Sequence, residues 1–153
     1  LEYSSDYYNA EILSALADFR RTFELKVTER ACLNHTPETF SHIEEAVLRF
    51  HAETNIDRLG ELAFDIHHEI AAASGNPVYA LIIASFRPIY ISSYCTMMSA
   101  KTRQKADSFF DELLSCVKSR NSQDVERIVF PSINLWDEKF HATYKDGQKY
   151  VQP

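Results

Sequence analysis

The chain has 153 residues, of which 45% are apolar and 25% charged, proportions that suit one folded domain with its own core. Its 22 acidic and 16 basic residues leave a net charge of −6, which argues against a nucleic-acid surface, because phosphate recognition needs a basic patch. No apolar run approaches the roughly 18 residues of a membrane span, and no secretory leader is visible. Cys32, Cys95 and Cys116 are odd in number, widely spaced and free of any CxxC, so the expectation is a reducing, cytoplasmic setting with buried, unreactive thiols at Cys32 and Cys116.

Three Gly and five Pro leave little turn chemistry, and ten Phe with eight Tyr supply bulky rings, so long helices around a large core are expected. Over residues 9–33 a stripe of Ile12, Leu16, Phe19, Phe23 and Val27 recurs at helical spacing. Asn34–Pro37 ends that helix, and Thr36 with Pro37 opens the next, carried by Phe40, Ile43, Val47 and Leu48. A third helix from Asn55 to about Ala73 shows Leu59, Leu62, Ile66 and Ile70. Gly75 then suits a C-terminal cap, and Asn76 with Pro77 a new start. Residues 77–95 are apolar nearly all round and read as one central or interfacial helix. A fifth helix covers about 99–119 and a sixth about 123–141, bent at Pro131; Lys145–Pro153 reads as a frayed tail. No strand alternation or repeat appears. The expectation is an all-α antiparallel bundle of six to seven helices, in which consecutive helices are mostly neighbours.

No nucleophile motif, phosphate loop or zinc spacing occurs, so no enzyme and no cofactor are expected. Glu61, Asp65 and His68 share one helix face, suited to a solvated charged surface or, less so, to a metal patch. His67 lies beside the apolar stripe, either as a satisfied core histidine or as a ligand contact. Arg21, close to Glu24 among apolar positions, needs an anionic partner: a ligand carboxylate or phosphate, or an internal acid. Tyr79, Phe86, Tyr90, Trp136 and Phe140 suit either core or cavity lining.

The run Ala73-Ser74-Gly75-Asn76-Pro77-Val78-Tyr79-Ala80-Leu81-Ile82, with Asp65-Ile66-His67 before it, resembles the C-terminal effector domain of GntR-superfamily transcription regulators. These domains are helical, of the class called FCD, and the wording here is nearest to the FadR-like fatty-acid metabolism regulators. Arg21-Thr22, Arg30, His35 and Pro37 fit the same spacing, as does Arg21-x-x-Glu24. The resemblance implies a homodimeric sensor over residues 1–153 whose effector is an acyl-CoA or organic acid. DNA would be read only by an N-terminal winged helix-turn-helix that this chain lacks, and no membrane partner is implied.

Carried over position by position, the family's ligand arginine falls on Arg21. The metal-binding set of some relatives falls on Ala63, His67, Asp111 and Asn134; only His67 keeps a donor of the expected kind, so no tight metal site is expected. In the last helix an ungapped register sets Trp136 and Phe140 on the family's Ser-x-x-x-Trp, whereas a one-turn shift would set Ser132 and Trp136 there. The ungapped register replaces small cavity residues with Ile133 and Trp136 and predicts a smaller or reshaped pocket. The expected ligand contacts are Arg21, His67, Tyr90, Asp111, Asn134, Trp136 and Phe140. The leading expectation is a sensor of a fatty acyl-CoA or related lipid-derived acid. The alternatives are a sensor of a small carboxylate, with or without a weakly held metal, and a ligand-free dimerisation module.

Overall fold

The computed structural model describes residues 10–143, without the side chains of residues 10–13, Thr96, Phe140 and Thr143. The tail expected to fray, Lys145–Pro153, lies outside the described residues. Seven helices follow one another: α1 (Ala10–Asn34), α2 (Pro37–Ala52), α3 (Leu59–Ala73), α4 (Pro77–Ser85), α5 (Arg87–Met97), α6 (Ala100–Lys118) and α7 (Val125–Thr143). Short 3₁₀ turns at Ile56–Arg58 and Ser122–Asp124 precede α3 and α7. There is no strand among the described residues, and the all-α bundle expected from the period-3.6 patterning is what forms.

Local chemistry sets most boundaries. Thr36 caps α2 through a reciprocal pair with Thr39, and Pro37 occupies the first turn, where its missing N–H costs nothing. Gly75 adopts φ 78°, the left-handed value that lets the chain reverse after α3. The Asn76 side chain then accepts from the Val78 N–H at 3.1 Å to start α4. Residues 77–95 do not make one helix, however. The chain breaks at Phe86 and turns by 57°, because Pro88 has no N–H to donate to the carbonyl of Ala84 and its ring crowds the preceding turn. The break also corrects the expected centre of the bundle: α4 buries only Ile83 and leaves Val78 and Leu81 in solvent.

The centre is α3, which packs against α1, α2, α4 and α5. Leu59, Leu62, Ile66 and Ile70 are buried. Gly60 lets α5 come close: a Cβ there would meet the Ile91 carbonyl and the Cys95 sulfur, each at 2.8 Å. Neighbours are only partly sequential. α2 packs on α3 and α6 on α7, but α1 packs chiefly on α7, at the far end of the chain.

Two arginines close helix ends from a distance. Arg103 on α6 donates to the Phe50, His51 and Glu53 carbonyls at the end of α2, at 2.8–3.0 Å. Arg120 donates to the Cys32, Leu33 and His35 carbonyls at the end of α1. A cation satisfies orphan carbonyls there and meets the negative end of the helix dipole. Arg120 does so from a left-handed backbone, φ 58°, while the Asn121 N–H reaches the Cys116 carbonyl at 3.1 Å. Urea unfolding is expected to rank position 120 as Arg above Gly above Ala. Arg120→Ala should cost about 1–3 kcal/mol from lost capping and backbone strain, and Arg120→Gly should recover the strain part.

Candidate functional site

The buried face of α1 is not the stripe of rings. Leu16, Ala17, Arg20, Glu24, Val27, Thr28 and Ala31 are buried, while Phe19 and Phe23 are only partly so. Arg20 and Glu24 therefore stand one helical turn apart inside the bundle. Arg20 is 3% exposed, and its Nε donates to a Glu24 carboxylate oxygen at 2.6 Å. Its guanidinium lies between the Tyr90 ring, 4.8 Å from the centroid, and the Trp136 ring, 4.9 Å away. The Tyr90 hydroxyl donates to the same Glu24 oxygen. Tyr94, one turn further along α5, bonds the His67 Nε2 at 2.8 Å.

The cluster sets its own protonation. Burial opposes both charges, but Arg20 and Glu24 outweigh it for each other, so the carboxyl is held below its usual range and the guanidinium above. Burial raises the Tyr90 and Tyr94 hydroxyls, and it pushes His67 down to about 4, with Glu24 opposing that shift in part. His67 is thus a neutral imidazole in the core. Burial likewise pushes the Cys32 thiol up to about 12, and none of the three cysteines is in a disulfide, as their spacing implied.

A groove of about 720 Å³ opens beside this cluster, between the end of α5, the first half of α6 and α7. Met97, Met98, Phe109, Ile128, Leu135 and Trp136 make its apolar wall. Arg20 and Tyr94 form its deep polar floor, and Lys101, Lys105 and Arg127 its exposed rim. Arg127 also lies 3.7 Å from Glu112 and 3.6 Å from Asp124.

Of the residues expected at the site, Trp136 lines the groove, and Tyr90 and His67 stand behind its floor. Arg21 does not line it: its guanidinium bonds the Asn134 side chain at 3.0 Å and Asp137 at 3.2 Å, at the outer α1–α7 seam. Asp111 lies on another surface, 2.8 Å from His51 Nε2. The Phe140 side chain lies outside the described residues. Ser132 and Trp136 both line the groove, while Ile133 is turned into the core. The residues not singled out from sequence are Arg20, Tyr94, Lys101, Lys105 and Arg127. The signal for Arg20 was its i, i+4 spacing to Glu24, which Arg21 lacks. Among the described residues no group of three His, Cys, Asp or Glu is placed to hold a metal.

The family described as the FadR C-terminal domain matches residues 4–142. The chain is 36% identical over 92 residues to the fatty acid metabolism regulator protein of Shewanella amazonensis, covering 58% of this chain and 37% of that protein. It is 31% identical over 103 residues to the protein of the same name from Shewanella sp. strain MR-7, covering 65% and 41%. To that of Shewanella oneidensis it is 31% identical over 102 residues, covering 65% and 41%. The matched stretch thus spans about two fifths of these relatives.

Two outcomes follow from the cluster. Arg20→Met should destabilise by about 3–5 kcal/mol, because it leaves Glu24 buried without its cation, and adding Glu24→Gln should recover part of the loss in chemical denaturation. His67 contributes a pH dependence of fixed sign. Unfolded, it takes a proton near its ordinary 6.5; folded, only near 4. The stability present above pH 6.5 is lost as pH falls towards 4, at up to about 1.4 kcal/mol per unit. Denaturation curves of His67→Phe between pH 7 and 4.5 should be flatter than wild type.

Proposed function

The chain belongs to the FadR C-terminal domain family, and on that premise we propose that it is the effector-sensing part of a transcription regulator whose effector is a fatty acyl-CoA or related lipid-derived acid. The groove carries this reading. Its volume falls within the range of small-molecule sites, and its apolar wall would cover an acyl chain, each buried methylene contributing about 0.8 kcal/mol. Lys101, Lys105 and Arg127 at the rim would meet phosphates or a carboxylate. The polar floor at Arg20 and Tyr94 belongs to the cluster that ties α1, α3, α5 and α7 together, so a ligand favouring one arrangement of that floor would shift the population of the whole bundle.

In this proposal DNA is contacted by a winged helix-turn-helix domain and not by the helical bundle described here. A homodimer is part of the proposal, and the solvent-facing apolar residues of α4, Val78 and Leu81, support a protein-facing surface. A small carboxylate is less well served, since Arg21 is engaged by Asn134 and Asp137. The groove beside the core favours a ligand-binding domain over a ligand-free dimerisation module.

Oleoyl-CoA at about 100 times its dissociation constant should stabilise the purified chain by about 2.7 kcal/mol in denaturation experiments. Lys101→Glu/Lys105→Glu should weaken binding about tenfold, roughly 1.4 kcal/mol, at low salt, with a smaller loss at high salt. A shift produced only by small carboxylates, or none with oleoyl-CoA, would remove the acyl-CoA assignment.

A further inference from the structure

We propose that His51 is a protonation-dependent clasp between α2 and α6, and that it makes ligand affinity in the groove depend on pH. His51 sits in the last turn of α2 with both ring nitrogens on carboxylates of α6. Its Nδ1 is 2.9 Å from an Asp107 oxygen and its Nε2 is 2.8 Å from an Asp111 oxygen. Two carboxylates offer only acceptors, so both contacts are hydrogen bonds only when both nitrogens carry a proton, which makes the ring an imidazolium. A neutral ring has one proton to give and turns its other lone pair towards a carboxylate oxygen.

Among the described residues, every hydrogen bond or ion pair at the His51 ring comes from α6. Asp107 is also held by the Arg103 Nε, 3.0 and 3.2 Å from its two oxygens. Within α2 the neighbour of the ring is Phe50, edge-on at 6.3 Å, which itself packs on Phe110 of α6. The ring is half-buried and Asp111 mostly exposed, so the clasp exchanges protons with solvent.

The clasp acts on the groove because α6 is one of its walls. Lys105, Ser108, Phe109 and Glu112 line the groove, while Asp107 and Asp111, interleaved with them along the helix, face α2. Holding α6 on α2 fixes that wall and preorganises the site, and losing one bond of the clasp loosens it. The imidazolium donates to both carboxylates and the neutral ring to only one, so affinity falls when the ring gives up its proton.

The regulatory part rests on the acyl-CoA reading of the groove, and the test separates the two. Oleoyl-CoA is titrated at pH 6 and pH 8 into wild type, His51→Gln and Asp111→Asn. Wild type should bind about two- to fivefold tighter at pH 6, the range for a half-exposed charged pair. His51→Gln should be weaker and flat. Asp111→Asn should be flat at the tight level, because an amide accepts from an imidazolium and donates to a neutral ring. Equal wild-type affinity at the two pH values, or the same pH change in His51→Gln, overturns the proposal. If oleoyl-CoA binds no form at either pH, the groove reading fails instead. The clasp is then decided without ligand: the difference in urea midpoint between wild type and His51→Gln should be larger at pH 6 than at pH 8, and an equal difference overturns it.

Discussion

A salt bridge closed off from water organises this bundle. Arg20 and Glu24 are both nearly inaccessible, and each is tolerable in the core only because the other is there. The pair recruits its surroundings: Tyr90 satisfies the carboxylate, and Tyr90 and Trp136 flank the guanidinium. Four helices thereby acquire a shared reference point, since α1 brings the charges, α5 the tyrosines, α7 the indole and α3 the neutral His67. A hydrophobic contact can slide by an ångström at little cost; a buried charged hydrogen bond cannot. The groove is built against this least adjustable part of the molecule.

Around that point the fold depends on ends rather than lengths. α1 and α2 finish in carbonyls that neither helix satisfies itself, and Arg120 and Arg103, both supplied by the region of α6, close them. α6 thus serves the bundle twice, as a wall of the groove and as the cap donor for α2. Its own start needs nothing from outside, because Ser99 and Thr102 cap each other reciprocally.

Much of this was legible in the sequence, and the illegible parts share a cause. Thr36-Pro37, Gly75 and Asn76-Pro77 marked boundaries because their chemistry is local. The apolar stripe of α3 was clear because every residue on it is apolar. The buried face of α1 was not, because a polar pair stands at its centre and two phenylalanines stand to one side, so apolar periodicity pointed roughly a fifth of a turn off, and the Arg-x-x-Glu spacing singled out Arg21 in place of Arg20. The break at Phe86 was missed for the opposite reason: apolar residues resume beyond Ser85, Arg87 and Pro88, and hydropathy does not register a missing N–H. The rim cations could not be found by pattern, because Lys101 and Lys105 on α6 and Arg127 on α7 meet only in three dimensions.

The pairing of α1 with α7 has a bearing on how the domain is made. Synthesis runs at roughly 5–20 residues per second, so the first helix waits on the order of ten seconds for the helix that covers it. A wholly apolar α1 would spend that interval as an adhesive surface open to other nascent chains. With Arg20 and Glu24 at the middle of the face to be buried, the unaccompanied helix stays hydrated there. Their cover is completed when Trp136 of α7 joins Tyr90 of α5 around the guanidinium. The same two residues that demand a completed bundle also keep an incomplete one soluble during its manufacture.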